Sequence, residues 1–453
     1  MREGSLEAPI RKPIKWETQD FFNEEKLDVE LRRVFDVCHG CRRCFNICES
    51  FPRLFDLIDE SANGELDTVD SAHFPQIVEA CTLCDMCFMT KCPYVPPHEF
   101  DIDFPHLMLR FRAIELKKNK VSWIKKRISD TDLNGKLGCY FSGILNKFLE
   151  CGNRVTRSIL QTFLGIHQNA ILPTYEEKRF TEQVRQSAIK PNNTVPAKGR
   201  KVVMYATCFA EYNNSKIGLA AKAVLEKNGV QTEVVYPKCC GMPQLEYGDL
   251  AGVAKRAEEI SVILRDWIDK GYDIVTVVPS CALMLKFEWP LILPNNQDVE
   301  KLSNSVYDIT EYLVDISKNE GLAEGMSPIG DITVHISCHS RAQNIGQKGA
   351  EVLHKIPDTQ VTVLDQCSGH GGTWGVMKEN YEVSLKVGKP VARKVSRNIT
   401  ENIVSECPLA RDHILHGLEL LVDTPPTISI ARHPIELVAQ AYGLNGFGKQ
   451  GNL

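Results

Sequence analysis

The sequence predicts an α-helical, cysteine-bearing N-terminal part followed by an α/β part made of two copies of one unit with parallel sheets. Three observations predict it. Eight of the 17 cysteines fall in two clumps between Cys38 and Cys92, each flanked by residues of helical periodicity. Beyond residue 200, short β-branched runs alternate with helical stretches, which is the pattern of a parallel sheet. That alternation then repeats, with a cysteine after each strand.

The first clump is Cys38, Cys41, Cys44 and Cys48, and the second is Cys81, Cys84, Cys87 and Cys92. Two-residue gaps let a tight loop aim three thiolates at three corners of a 4Fe-4S cluster, while the fourth thiolate crosses to the other cluster. Cys38, Cys41, Cys44 and Cys92 then hold one cluster, and Cys81, Cys84, Cys87 and Cys48 hold the other. Zinc sites usually take paired cysteines with one such gap per pair, not runs of three. Disulfides need an oxidising compartment, and residues 1–20 carry no apolar export signal. Two details depart from the common pattern: Glu49, not proline, follows Cys48, and four residues separate Cys87 from Cys92. Both change loop shape more than ligand count.

Taken in order, residues 1–25 read as an irregular arm broken by Pro9 and Pro13. Helices are expected over Glu24–Val37, Phe51–Ile58 and Ala72–Ala80, with a polar loop at Ser61–Ser71. Together these make residues 26–104 an α-helical two-cluster ferredoxin-like domain, closed by Pro93–Pro97. Residues 105–190 form a helical connecting region, with a helix over Pro105–Lys120. Its stretch Leu137–Ile166 mixes apolar and basic residues and reads as a helical hairpin packed on the protein, the alternative being an amphipathic segment on a membrane surface. Cys139 and Cys151 there read as buried small hydrophobes. Ile189–Lys201 reads as a linker.

The repeat occupies 191–320 and 321–453. Strand Lys201–Thr207 delivers Cys208, Thr232–Tyr236 delivers Cys239 and Cys240, and Asp273–Val278 delivers Cys281. In the second copy Asp331–Ser337 delivers Cys338, Gln360–Leu364 delivers Cys367, and Asn402–Ser405 delivers Cys407. Corresponding cysteines are offset by 130, 128 and 126 residues. Carboxyl ends of parallel strands are where α/β sheets hold ligands. Cys208, Cys239, Cys240 and Cys281 meet the four-thiolate need of a third cluster. The second copy has Ser368 in the doubled position, so its three thiols leave metal site, open site and relic as standing readings, with His339 and His370 as nearby donors. The run Gly369–Gly375 lets backbone approach a cluster or cofactor closely, but it is no dinucleotide fingerprint.

A chain of 453 residues with 43% hydrophobic and 25% charged residues can bury a sizeable core. Its net charge of -5 argues against a general nucleic-acid binder. No run of apolar residues is long enough to span a bilayer. The expected location is cytoplasmic, or peripheral on the cytoplasmic face of the inner membrane.

The two N-terminal clumps and the Cys…Cys-Cys-Gly…Cys repeats resemble the iron–sulfur subunits of anaerobic glycerol-3-phosphate dehydrogenase and glycolate oxidase, and heterodisulfide reductase-related proteins with CCG domains. The resemblance covers about residues 30–440 and implies an electron-transfer subunit that passes electrons from a flavoprotein partner toward quinone or another acceptor. A full unit of that type carries five cysteines; here Met284, Ser368 and Ala410 stand in three of those places. Two other readings stand beside it: reduction of a disulfide at the Cys208–Cys281 site, and electron donation to a peroxide-scavenging protein of rubrerythrin type.

Overall fold

The computed structural model describes residues 9–186, 195–422 and 428–447. Residues 189–194 of the expected linker, Ile189–Lys201, and residues 1–8 of the N-terminal arm lie outside them. Helix Glu24–Cys41 opens the N-terminal part: Asn23 caps it by accepting from the Lys26 amide, and Leu27, Leu31, Val34 and Phe35 form its buried stripe. Helices Ser50–Asp59 and Pro75–Ala80 complete the frame around the cysteine clumps, close to their expected bounds.

Among the described residues seven strands follow: β1 Lys201–Tyr205, β2 Gln231–Val235, β3 Asp273–Thr276, β4 Val306–Asp308, β5 Ile332–His335, β6 Val361–Leu364 and β7 Asn402–Ser405. They form two parallel sheets of order β2-β1-β3-β4 and β6-β5-β7. The shared order of the first three strands in each sheet is the repeat made visible. β4 is an addition of the first sheet that the sequence pattern does not announce. It is three residues long and passes straight into helix Ile309–Asn319, started by a reciprocal Asp308–Glu311 capping box.

The period of two along each strand divides the interior. Val203 and Tyr205 of β1, with Ile274 of β3, face a core shared with Leu31, Phe35, Phe55 and Ile77 of the N-terminal helices. Val202 and Met204, with Val275, face the opposite way into a second core that includes Ile332 and Val334 of β5. One sheet thus joins the helical part on one side and the second repeat on the other. Helix Pro434–Ala441, also unannounced by the sequence pattern, packs on helix Ser215–Lys227 and ties the repeats together from the far end of the chain.

Between Pro9 and Asn23 the arm lacks regular structure apart from a short turn at Asp20–Phe22, yet it is anchored. Ile10 donates to the Pro96 carbonyl at 3.0 Å, Ile14 to Leu291 at 2.8 Å, and the Trp16 indole to Ile292 at 2.9 Å. Arg11 ion-pairs with Asp85, Asp103 and Glu288 at 2.7, 2.8 and 3.1 Å.

The connecting region packs by one side only. Gly135 and Gly138 of helix Thr131–Tyr140 lie so close to the rings of Tyr212 and Tyr175 that a Cβ would come within 2.1 and 2.2 Å of them. The other side is bare: nine of the nineteen exposed large apolar side chains among the described residues fall between Trp123 and Phe163. Cys139 is buried and its thiol reaches the Tyr212 carbonyl, but Cys151 is exposed, against expectation. Cys151 follows the end of helix Ser142–Leu149 in a turn, so no helical stripe carries it inward.

Candidate metal centres

Cys38 and Cys41 sit on the last turns of helix Glu24–Cys41, which stops where Arg42 takes the left-handed conformation at φ 52°. Helix Pro75–Ala80 delivers Cys81, and helix Met86–Thr90 carries Cys87. Between them Leu83 and Asp85 are both left-handed, at φ 50° and 61°, so the chain folds tightly around Cys84. Burial pushes the Cys38 thiol well up, and its next contributors are Cys92, Cys44 and Cys41. Burial likewise raises Cys48, with Cys84 and Cys81 next, and Cys87, with Cys84, Cys48 and Cys81 next. By these contributors Cys92 stands with Cys38, Cys41 and Cys44, the first group, and Cys48 with Cys81, Cys84 and Cys87, the second. Arg112 lies against the second group, donating to the carbonyls of Val78 and Cys81.

In the first repeat, Cys208 opens helix Cys208–Tyr212 after β1, Cys239 and Cys240 follow β2, and Cys281 lies in helix Pro279–Leu283 after β3. The thiols of Cys239 and Cys208 are 3.8 Å apart. Hydrogen bonding from Cys208 and then Cys240 holds the Cys239 thiol well below its ordinary range, while the same bonds drive its two partners up. Gly241 turns the chain after the cysteine pair at φ 92°, where a side chain would be strained. The Trp289 indole donates to the Cys240 carbonyl at 3.1 Å.

Asp132, from the connecting region, completes this site and was not found from sequence. Its carboxylate accepts from the Cys239 amide at 3.2 Å, the Tyr236 hydroxyl at 2.6 Å and Arg256 at 2.8 Å. No spacing rule relates residue 132 to residue 239; only the docking of helix Thr131–Tyr140 does.

In the second repeat, Cys338 opens helix Cys338–Ala342 with Ser337 as its cap, and Cys407 directly precedes helix Pro408–Glu419. Burial raises the Cys338 thiol, and the next contributors are Cys84, Cys367 and Cys407. The three repeat thiols thus gather beside the second N-terminal group. The glycine run explains how. At Gly371 (φ 57°) a Cβ would lie 2.9 Å from Thr82, and at Gly369 (φ 81°) one would lie 2.0 Å from the Ser384 carbonyl. The close approach expected here to a cluster or cofactor is made instead to the protein's own chain. Ser368 and Ala410, in two of the places of missing cysteines, are buried. His370 stands beside His413, with ring centroids 6.1 Å apart, and His339 hydrogen-bonds Ser280.

Among the described residues, no three His, Cys, Asp or Glu side chains close on a point as a single metal ion would require. An iron–sulfur cluster attaches each thiolate to a separate iron corner, so it asks for grouped soft donors rather than one common centre. Two four-thiol groups in the N-terminal part and one in the first repeat fit that donor chemistry.

A family model described as the CCG cysteine-rich domain matches residues 202–286 and 332–409, which run from β1 past Cys281 and from β5 past Cys407. The C subunit of anaerobic glycerol-3-phosphate dehydrogenase from Escherichia coli is 27% identical over 318 residues, covering 69% of this chain and 76% of that protein. Lactate utilization protein A of Bacillus pumilus is 30% identical over 187 residues, covering 39% of this chain and 75% of that protein. The protein of that name from Oceanobacillus iheyensis is 29% identical over 215 residues, covering 45% of this chain and 84% of that protein.

Proposed function

Because the chain belongs to the CCG cysteine-rich domain family, together with lactate utilization protein A and the C subunit of anaerobic glycerol-3-phosphate dehydrogenase, we propose that it is an iron–sulfur electron-transfer subunit of a dehydrogenase complex. The observation that supports this reading is a single core that takes in Cys38, Cys44, Cys48, Cys81, Cys84, Cys87 and Cys92 together with Cys208, Cys239, Cys240 and Cys281 of the first repeat. Bound iron–sulfur clusters would supply reversible one-electron exchange at each group. The chain's own residues do the rest. They bury the thiols, which keeps water from the sites. They orient them through second-layer contacts such as Asp132 on Cys239 and Trp289 on Cys240.

The chain presents no flavin or nicotinamide fingerprint, so two-electron chemistry falls to a partner. We assign that role to a flavoprotein, with a quinone-side acceptor downstream. No described helix is long and apolar enough to cross a membrane. The exposed side of the connecting region suits peripheral attachment instead. Leu133, Leu137 and Tyr140 line one face of helix Thr131–Tyr140, and Val155, Ile159 and Phe163 one face of helix Arg154–Leu164, at four- and three-residue steps. Tyr140 is 81% exposed, Val155 72% and Phe163 70%. Ten basic and three acidic residues fall between Lys117 and Leu160 in a chain of net charge -5. An apolar stripe beside clustered lysines complements an anionic lipid surface.

Iron and acid-labile sulfide per chain, measured on anaerobically purified protein with paramagnetic resonance, test the reading. About eight of each correspond to the two N-terminal groups, and about twelve add the first repeat. In the second case Cys239→Ser is expected to remove about four irons and leave the rest. Zinc in place of iron, or visible absorbance that dithionite does not bleach, would overturn it.

A further inference from the structure

One side chain lies where three cysteine-bearing segments meet. His339 directly follows Cys338 in helix Cys338–Ala342, and that helix packs on both helix Pro279–Leu283 and helix Met86–Thr90. Its ring Nδ1 is 2.7 Å from the hydroxyl of Ser280, the residue before Cys281. Its Nε2 is buried and faces the backbone of Leu83, the residue before Cys84, without forming a well-shaped hydrogen bond there. Asp85 and Glu288, both held by Arg11, are the charges that act on the ring. One imidazole thus touches the segment of the second N-terminal group and that of the first repeat, while its own backbone belongs to the second repeat.

Two further observations show that the junction is built rather than incidental. Gln343, one turn on, donates from its amide to the carbonyls of both Pro279 and His339, at 3.3 and 3.2 Å, locking the two short helices together. Leu83 holds a left-handed backbone at φ 50°, a conformation costly for a branched residue, and it faces the ring in doing so.

We propose that His339 is a positioning residue that joins the second N-terminal group to both repeats and fixes the separation across which the groups held there exchange electrons. The proposal rests on the iron–sulfur reading above. Each exchange is a single electron lost by one group and gained by its neighbour, with no bond made or broken in the protein. Residues beside a ligating thiolate orient it and shape its surroundings, so a ring that contacts the neighbours of Cys84 and Cys281 acts on both sites at once.

The test uses the full chain, loaded anaerobically, as wild type, His339→Ala, His339→Gln and Ser280→Ala. Iron and sulfide content, midpoint potentials from a titration followed by paramagnetic resonance, and the broadening caused by neighbouring reduced groups are measured on each. Iron content is expected to stay at the wild-type level in all four. In His339→Ala the potentials of the second N-terminal group and the first repeat shift, and the broadening narrows. His339→Gln, which keeps a side chain able to bond Ser280, restores part of the wild-type spectrum. Ser280→Ala shifts the signal that Cys239→Ser abolishes and leaves the others. Unchanged potentials and broadening in a folded His339→Ala protein, or in Ser280→Ala, would overturn the proposal. Loss of iron from both His339 variants would also overturn it, by making the imidazole a ligand. Wild-type protein without iron would remove the underlying reading and this proposal together.

Discussion

Two titratable residues, the buried His433 and the half-buried Glu246, set opposite limits on stability. His433 is fully buried; its Nδ1 accepts from the Ile435 amide at 3.1 Å to cap helix Pro434–Ala441. Burial lowers it from 6.5 to about 3, so it stays neutral in the fold while the unfolded chain takes up a proton below pH 6.5. Stability is therefore lost as pH falls from 6.5 toward 3. His433→Asn, which keeps a capping oxygen, should remove about 2 kcal/mol of the loss between pH 7 and pH 5, read from denaturant melts at the two values. Glu246 behaves conversely. Burial, partly offset by Arg112 and Lys125, raises its carboxyl to about 7, so stability is lost as pH rises from the ordinary 4.5 through 7. Since the side chain is only partly buried by surface area, Glu246→Gln is expected to stabilise the protein at pH 8 by about 1–2 kcal/mol, and hardly at pH 4. Equal melts for Glu246→Gln and wild type at pH 8 would refute the assignment.

Among elements, the arm and the connecting region carry the strongest consequences. Arg11 neutralises Asp85, Asp103 and Glu288, which come from the second clump, the start of helix Phe104–Lys117 and the first repeat. Arg11→Met leaves three carboxylates without their cation in a largely buried place. The expected cost is about 3–5 kcal/mol, seen as a lower midpoint in denaturant, and Arg11→Lys should recover only part because it lacks the fork that reaches all three. For the exposed stripes, wild type is expected to sediment with phosphatidylglycerol vesicles but weakly with phosphatidylcholine. Phe163→Glu and Tyr140→Glu should abolish the former without altering iron content. Unchanged vesicle binding, with loss of a co-purifying partner chain, would assign the stripes to a protein surface instead.

For the whole molecule, the two-sided first sheet is decisive. Its strands send Val203 and Tyr205 toward the cysteine-bearing helices and Val202 and Met204 toward the second repeat, so helical part and repeats share cores instead of hanging on linkers. The second-repeat thiols also come within electrostatic reach of the N-terminal part, with Cys84 acting on Cys338 and Cys367 on Cys84. Much of the chain's organisation was legible beforehand. Helix Glu24–Cys41, the strands β1 to β3 and β5 to β7, and the offset of the repeats follow from periodicities and cysteine spacings that span a few residues. β4 escaped notice because three residues are too short for any period to show. The exposure of Cys151 and of the Val155–Phe163 stripe was misjudged for a different reason: an apolar face reads the same whether the protein or something else covers it.

The sequence by itself determined which thiols stand at which spacing and which strand end carries each cysteine, because those relations are local to the chain. Tertiary structure alone decided what surrounds them. Asp132 meets Cys239 across 107 residues, and Arg11 meets Glu288 across 277. His339 links Ser280 to the neighbourhood of Leu83. Such contacts depend on how packed helices and sheets dock, and docking is set by the sum of many buried surfaces rather than by any repeat a single stretch can display.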